Sequence, residues 1–157
     1  MNIHTDGDHN HHNFGLVISE EEKMLKILII DDSRIIGERL SSMLTDIDEV
    51  RVVGQATCAR EGLDLVRTTK PDFIVLDISL PDKLGLQIIA EIKKINPEIT
   101  IAMFTNYPFT AYRKHSMDLG ADYFFDKSKE FGKLVDILTD LARSKNKGSS
   151  TDSNSVC

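Results

Sequence analysis

Five residues in this 157-residue chain stand where short apolar runs stop. Asp31 and Asp32 follow Leu25-Lys26-Ile27-Leu28-Ile29-Ile30, and Asp77 follows Phe73-Ile74-Val75-Leu76. Thr105 follows the run that begins at Ile99, and Lys127 lies just past Tyr123-Phe124-Phe125. Singly, each has a plain reading. Asp32 or Ser33 ahead of a helix is a cap, Thr105 is a turn residue bonding its own backbone, and Lys127 is a solvated charge. Together they carry a different chemistry. Three carboxylates at about 5 Å and an effective dielectric near 20 repel by roughly 3 kcal/mol per pair. A hard divalent cation relieves that repulsion, and an all-oxygen donor set suits Mg²⁺. Asp32 is the expected direct ligand, Asp31 a direct or water-mediated one, and Asp77 both ligand and nucleophile. The backbone carbonyl of Ser79 is a further candidate ligand.

A carboxylate can attack phosphorus and carry the phosphoryl group as an acyl phosphate. The loose transition state asks for positioning and for charge neutralisation on three equatorial oxygens. The cation, the Lys127 ammonium and the Thr105 hydroxyl would serve one oxygen each, so Asp77 is expected to be a phosphoacceptor.

These residues need a scaffold that delivers strand ends to one place. The unbroken apolar runs predict parallel strands covered on both faces, at 25–30, 50–56, 72–76, 99–104 and 123–125. Between them, apolar spacing near 3.6 predicts helices over about 33–47, 58–69, 85–95, 108–119 and 129–143. In the first helix Ile35, Ile36, Leu40, Met43, Leu44 and Ile47 recur close to that spacing. Pro71, Pro97 and Gly120 mark helix stops, while Pro81 and Gly85 turn the chain after Asp77. Five strands alternating with five helices predict an α/β, flavodoxin-like (βα)5 three-layer sandwich with sheet order 2-1-3-4-5. Chemistry in such sheets collects outside the carboxyl ends of the strands, which is where all five residues fall.

Composition narrows the field. The net charge of −6 is skewed by the ends, since residues 1–23 carry −4 and 143–157 carry +2, leaving a mildly acidic middle. That argues against direct nucleic-acid binding, which draws on clustered Lys and Arg. No apolar run approaches the roughly 20 residues that cross a bilayer, so no membrane insertion is expected. Two distant cysteines, Cys58 and Cys157, form no disulfide framework and fit a cytoplasmic setting. Residues 1–23, with irregularly spaced histidines, read as a flexible leader; 24–143 as the domain; 144–157 as a disordered tail.

The chain resembles a response-regulator receiver domain of bacterial two-component signalling over about Met24 to Arg143. The resemblance rests on the acidic pair Asp31-Asp32, the acceptor Asp77, Pro81 and Gly85 four and eight residues on, Thr105, and Lys127. It implies that a sensor histidine kinase or a histidine phosphotransfer protein donates phosphate to Asp77. It also implies that Thr105 and the aromatic Phe124 switch the surface of helix 4, strand 5 and helix 5 toward a downstream protein target. A receiver of this kind works as a monomer or a phosphorylation-dependent dimer and is not an enzyme in its own right. Ser128 stands where many members carry proline, Phe124 lacks a hydroxyl, and Asn106 replaces a smaller residue. Ser79 and Tyr107 occupy positions that tune phosphate lifetime in the family.

Two other readings fit the residues less well. A phosphorylation-independent pseudo-receiver would lack an acidic-pair residue or the lysine, and none is lost. A phosphatase with an aspartyl intermediate needs an acid/base Asp two residues past the nucleophile, where Ser79 stands. Too few residues follow the last helix for an output domain, so a stand-alone receiver is expected over a receiver fragment of a longer regulator.

Overall fold

The computed structural model describes residues 23–155, with side chains to Lys145. Strands β1 (Leu25–Ile30), β2 (Val50–Ala56), β3 (Phe73–Leu76), β4 (Thr100–Thr105) and β5 (Tyr123–Asp126) alternate with helices α1 (Arg34–Thr45), α2 (Ala59–Thr69), α3 (Leu86–Ile95), α4 (Thr110–Leu119) and α5 (Phe131–Ser155). The sheet is parallel throughout in the order β2-β1-β3-β4-β5, as expected.

All four residues of β3 are buried, alternating between the two faces of the sheet. Phe73 and Val75 join Ile27, Ile29, Leu40, Phe104 and Leu134 on the α1/α5 side. Ile74 and Leu76 join Leu28, Ile30, Leu63, Ile89 and Met103 on the α2/α3/α4 side. Each such side chain contributes about 1.5–3 kcal/mol on leaving water, which fixes the register against slippage. The register then aligns the strand ends. Ile30 pairs with Leu76, Leu76 with Met103, and Thr105 with Asp126. Asp31 and Asp77 therefore leave the sheet side by side.

Helix α1 buries Gly37, Leu40 and Leu44, while Ile35 is 76% exposed and Met43 37% exposed. Ile35 lies about 140° around the helix from Leu40 and so faces solvent. In α3 the apolar residues Leu86, Ile88, Ile89 and Ile92 are the buried ones. Helix α4 buries only Ser116, whose hydroxyl finds no partner among the described residues. Gly120 ends α4 at φ 117°, a conformation that suits glycine. Helix α5 continues to Ser155, past the boundary expected at Arg143, since no proline follows and a started helix extends one hydrogen bond per residue. The expected leader, residues 1–23, lies outside the described residues except for Lys23. So do the side chains of the expected tail beyond Lys145.

The loop after β3 folds back tightly. Ser79 bridges Leu84, and the Gly85 N–H donates to the Ile78 carbonyl at 2.6 Å. A Cβ on Gly85 would sit 2.0 Å from the Asp77 carbonyl oxygen, so this turn excludes any side chain. Gly85→Ala should cost about 3 kcal/mol or more in urea-induced unfolding. Gly132→Ala, where a Cβ meets nothing within 4 Å, should leave stability unchanged or raise it by up to about 1 kcal/mol.

Candidate functional site

The site forms where β1, β3 and β5 end. Asp77 is anchored by its backbone N–H, which donates to the Ile30 carbonyl at 2.9 Å, while the Asp31 N–H donates to Ala56 at 2.9 Å. Both carboxylates are buried. Lys127 enters from beyond β5, its N–H donating to the Thr105 carbonyl at 2.8 Å. Its Nζ lies 2.7 Å from Asp31 Oδ2 and 3.2 Å from Asp77 Oδ2, with the lysine side chain 4% exposed. Asp32 is exposed at the mouth, and carboxylate oxygens of Asp31, Asp32 and Asp77 lie within 4.8 Å of one another.

Local bonds hold this arrangement. Asp31 Oδ1 accepts from the Ser33 N–H at 2.9 Å, and Ser33 caps α1 through Ile36 N–H. The Ser79 N–H points to Asp77 Oδ1 at 3.4 Å. Asp126 steadies the loop after β5 by accepting from both the N–H and the hydroxyl of Ser128, at 2.9 and 2.7 Å. Those bonds hold its carboxyl below the usual range. Ser128, in the place of the family's proline, thus supports the loop by hydrogen bonding; no cis peptide occurs among the described residues.

Asp77, Asp32, Lys127, Ser33, Ile36, Ser79, Asn106 and Tyr107 line a cleft of about 170 Å³. That volume accommodates a phosphoryl group with ordered water or an ion. Of the expected residues, Asp31, Asp32, Asp77 and Lys127 converge, and Ser79 lies at the rim. Thr105 is fully buried, and its hydroxyl accepts from the Tyr107 N–H at 3.0 Å. In this state it serves its own loop, the plain reading that its position after a strand allowed. Phe124 is buried on the α4 side, with the Arg113 guanidinium 4.7 Å above its ring.

Sequence patterns did not reveal Asp82, which accepts from the N–H groups of Ala59 and Arg60 at 2.8 and 2.9 Å and so caps α2 from the β3–α3 loop. These bonds hold its carboxyl below the usual range. The partner helix begins 22 or more residues away, beyond any local motif. Arg113 over Phe124 was likewise unreadable, since only the fold brings α4 onto β5.

Burial raises the Asp77 carboxyl from 3.8 to about 6; Lys127 opposes the rise and Asp31 adds to it. At neutral pH the group is thus mostly ionised, yet its charge is less stable than in water. The raised value means that the folded state binds this proton more tightly than the unfolded chain does. Stability from Asp77 is therefore full below pH 3.8 and is lost as pH rises through about 6. In chelator, Asp77→Asn should become more stable relative to wild type by about 3 kcal/mol between pH 4 and 7, with a plateau above. Urea unfolding of both proteins across that range checks this; a flat difference would contradict it.

Residues 27–139 match the family described as the response regulator receiver domain. The response regulator GacA of Pseudomonas aeruginosa is 29% identical over 115 residues, covering 73% of this chain and 54% of that protein. Protein-glutamate methylesterase/protein-glutamine glutaminase 4 of Hahella chejuensis is 34% identical, covering 68% of this chain and 28% of that one. The chain thus spans about half the length, or less, of these relatives. Among solved structures, a CheY-like response regulator receiver domain protein from Methanospirillum hungatei aligns with TM-score 0.70 and 25% identity, covering 80% of this chain and 98% of that chain. A LuxR-family two-component response regulator from Aurantimonas aligns with TM-score 0.71 and 26% identity, covering 77% and 86%. Parallel strands in the order 2-1-3-4-5, an acidic cluster at their carboxyl ends and the match over 27–139 lead to one conclusion: this chain belongs to the response regulator receiver domain family.

Proposed function

We propose that the protein is a phosphoacceptor in a two-component or phosphorelay system, taking phosphate onto Asp77 from a sensor histidine kinase or a histidine phosphotransfer protein. The observation that carries this reading is the Lys127 ammonium held between the buried carboxylates of Asp31 and Asp77 at the floor of an open cleft.

In the transfer, an Asp77 carboxylate oxygen forms a bond to phosphorus while the phosphorus–nitrogen bond of the donor phosphohistidine breaks. The leaving imidazole nitrogen takes the electron pair. Lys127 neutralises charge on a phosphoryl oxygen, and its contact with Asp31 keeps the ammonium from following Asp77 out of place. Asp31, Asp32 and Asp77 fit Mg²⁺ in donor type and spacing, with the Ser79 carbonyl as a further ligand. When bound, the ion would offset phosphate charge that one lysine leaves uncompensated.

The added phosphate brings about two negative charges, which draw the Thr105 hydroxyl away from Tyr107 N–H. Phe124, buried on the same side as α4, then repacks. It does so without a hydrogen bond, against Arg113. The α4–β5–α5 face carries the signal to a downstream protein, with no direct contact to nucleic acid. The protein acts as a monomer or as a dimer formed on phosphorylation.

With acetyl phosphate and Mg²⁺, wild type should take label and Asp77→Asn none. Lys127→Ala should slow labelling by roughly a hundredfold or more. Asp32→Asn should weaken Mg²⁺ binding in calorimetry by at least about tenfold. Equal labelling of wild type and Asp77→Asn would move the acceptor elsewhere.

A further inference from the structure

Lys127 has partners besides the two carboxylates. Its Nζ lies 5.8 Å from the ring centroid of Phe104, a fully buried residue of β4. That distance is within reach of a cation–π attraction. Phe131, at the start of α5, meets Phe104 at a centroid distance of 5.3 Å and an interplanar angle of 72°. The arrangement is the T-shape that aromatic quadrupoles favour. On the outer side, the Arg39 guanidinium of α1 lies 4.4 Å from the Phe131 centroid. Two rings in edge contact therefore have a cation at each end, one buried in the site and one on an exposed helix.

We propose that Phe104 and Phe131 are positioning residues for the Lys127 ammonium, with Arg39 securing the outer end of the stack. The proposal deepens the reading of Asp77 as phosphoacceptor and rests on it. The Lys127 N–H on the Thr105 carbonyl and the Ser128 N–H on the Asp126 carboxylate fix the loop, but four rotatable side-chain bonds separate that backbone from Nζ. Of the two carboxylates only Asp31, at 2.7 Å, keeps its charge through the reaction, because the oxygens of Asp77 change partner and charge when phosphate arrives, and a single contact leaves Nζ free to swing about it. The Phe104 ring does not change. It offers the ammonium, whose side chain is 4% exposed, an attraction that persists before and after transfer. An aliphatic side chain would fill the same volume without that attraction.

Four variants test this: Phe104→Leu, Phe131→Leu, Phe131→Tyr and Arg39→Gln, each checked for folding by its urea midpoint. Labelling with acetyl phosphate is resolved into maximal rate and KM, and the Lys127 ammonium is followed by ¹⁵N NMR in the unmodified protein. Phe104→Leu should lower the maximal rate about tenfold and lose the ammonium signal, with KM and Mg²⁺ affinity within about twofold of wild type. Phe131→Leu and Arg39→Gln should each cost about threefold, and Phe131→Tyr, which restores a ring, should recover most of the loss. A folded Phe104→Leu that labels at the wild-type rate with its ammonium signal intact would overturn the proposal. So would Phe131→Tyr being as slow as Phe131→Leu. Should Phe104→Leu fail to fold, the half-buried Phe131 pair decides. If wild type takes no label, the phosphoacceptor reading fails, and the ammonium signal still tests the positioning by itself.

Discussion

One ammonium between two buried carboxylates sets the terms for this fold. Removing such charges from water costs several kcal/mol per ion, and pairing repays that only when the geometry is good. Here Lys127 reaches Asp31 at 2.7 Å and Asp77 at 3.2 Å, yet Asp77 still rises to about 6. The pair is unequal. Asp31 holds the lysine closely, and Asp77 is the carboxylate left short of compensation. A protein built for stability alone would fill this position with apolar side chains. The retained excess of negative charge is what a cation at the acidic cluster would offset.

Strand alternation divides the site between the two faces of the sheet. Phe104 and the Lys127 end of β5 belong with the core beneath α1 and α5. Phe124, with its neighbour on β4, Met103, belongs with the core beneath α2, α3 and α4. A change of charge at Asp77 would thus reach two separately packed layers through residues one step apart along the same strands. On the α4 side the packing is light, since α4 buries a lone serine whose hydroxyl has no partner among the described residues. An element so weakly anchored is a natural place for two packings of similar energy.

Much of this was legible in the sequence. The strands announce themselves because a parallel sheet covered on both faces needs continuous apolar runs, and the residues that stop those runs are the ones at the site. Sheet order followed from the number of βα units, and Asp31, Asp32, Asp77 and Lys127 met as expected. What escaped depends on contacts between distant segments. Apolar identity does not separate Ile35 from its buried neighbours; its angular position relative to Leu40 is what turns it to solvent. The end of α5 was misjudged because weak helix formers do not break a helix already started. The Asp82 cap on α2, Arg113 over Phe124, and the Phe104–Phe131 stack join residues that no local spacing connects.

The most direct measurement is to map the modified residue itself. After treatment with acetyl phosphate and Mg²⁺, borohydride reduction converts an acyl phosphate of aspartate to homoserine, which peptide mass spectrometry locates. Homoserine at position 77 alone is the expected result. Homoserine at Asp31 or Asp32, or no reducible residue in a folded protein that binds Mg²⁺, would contradict the account.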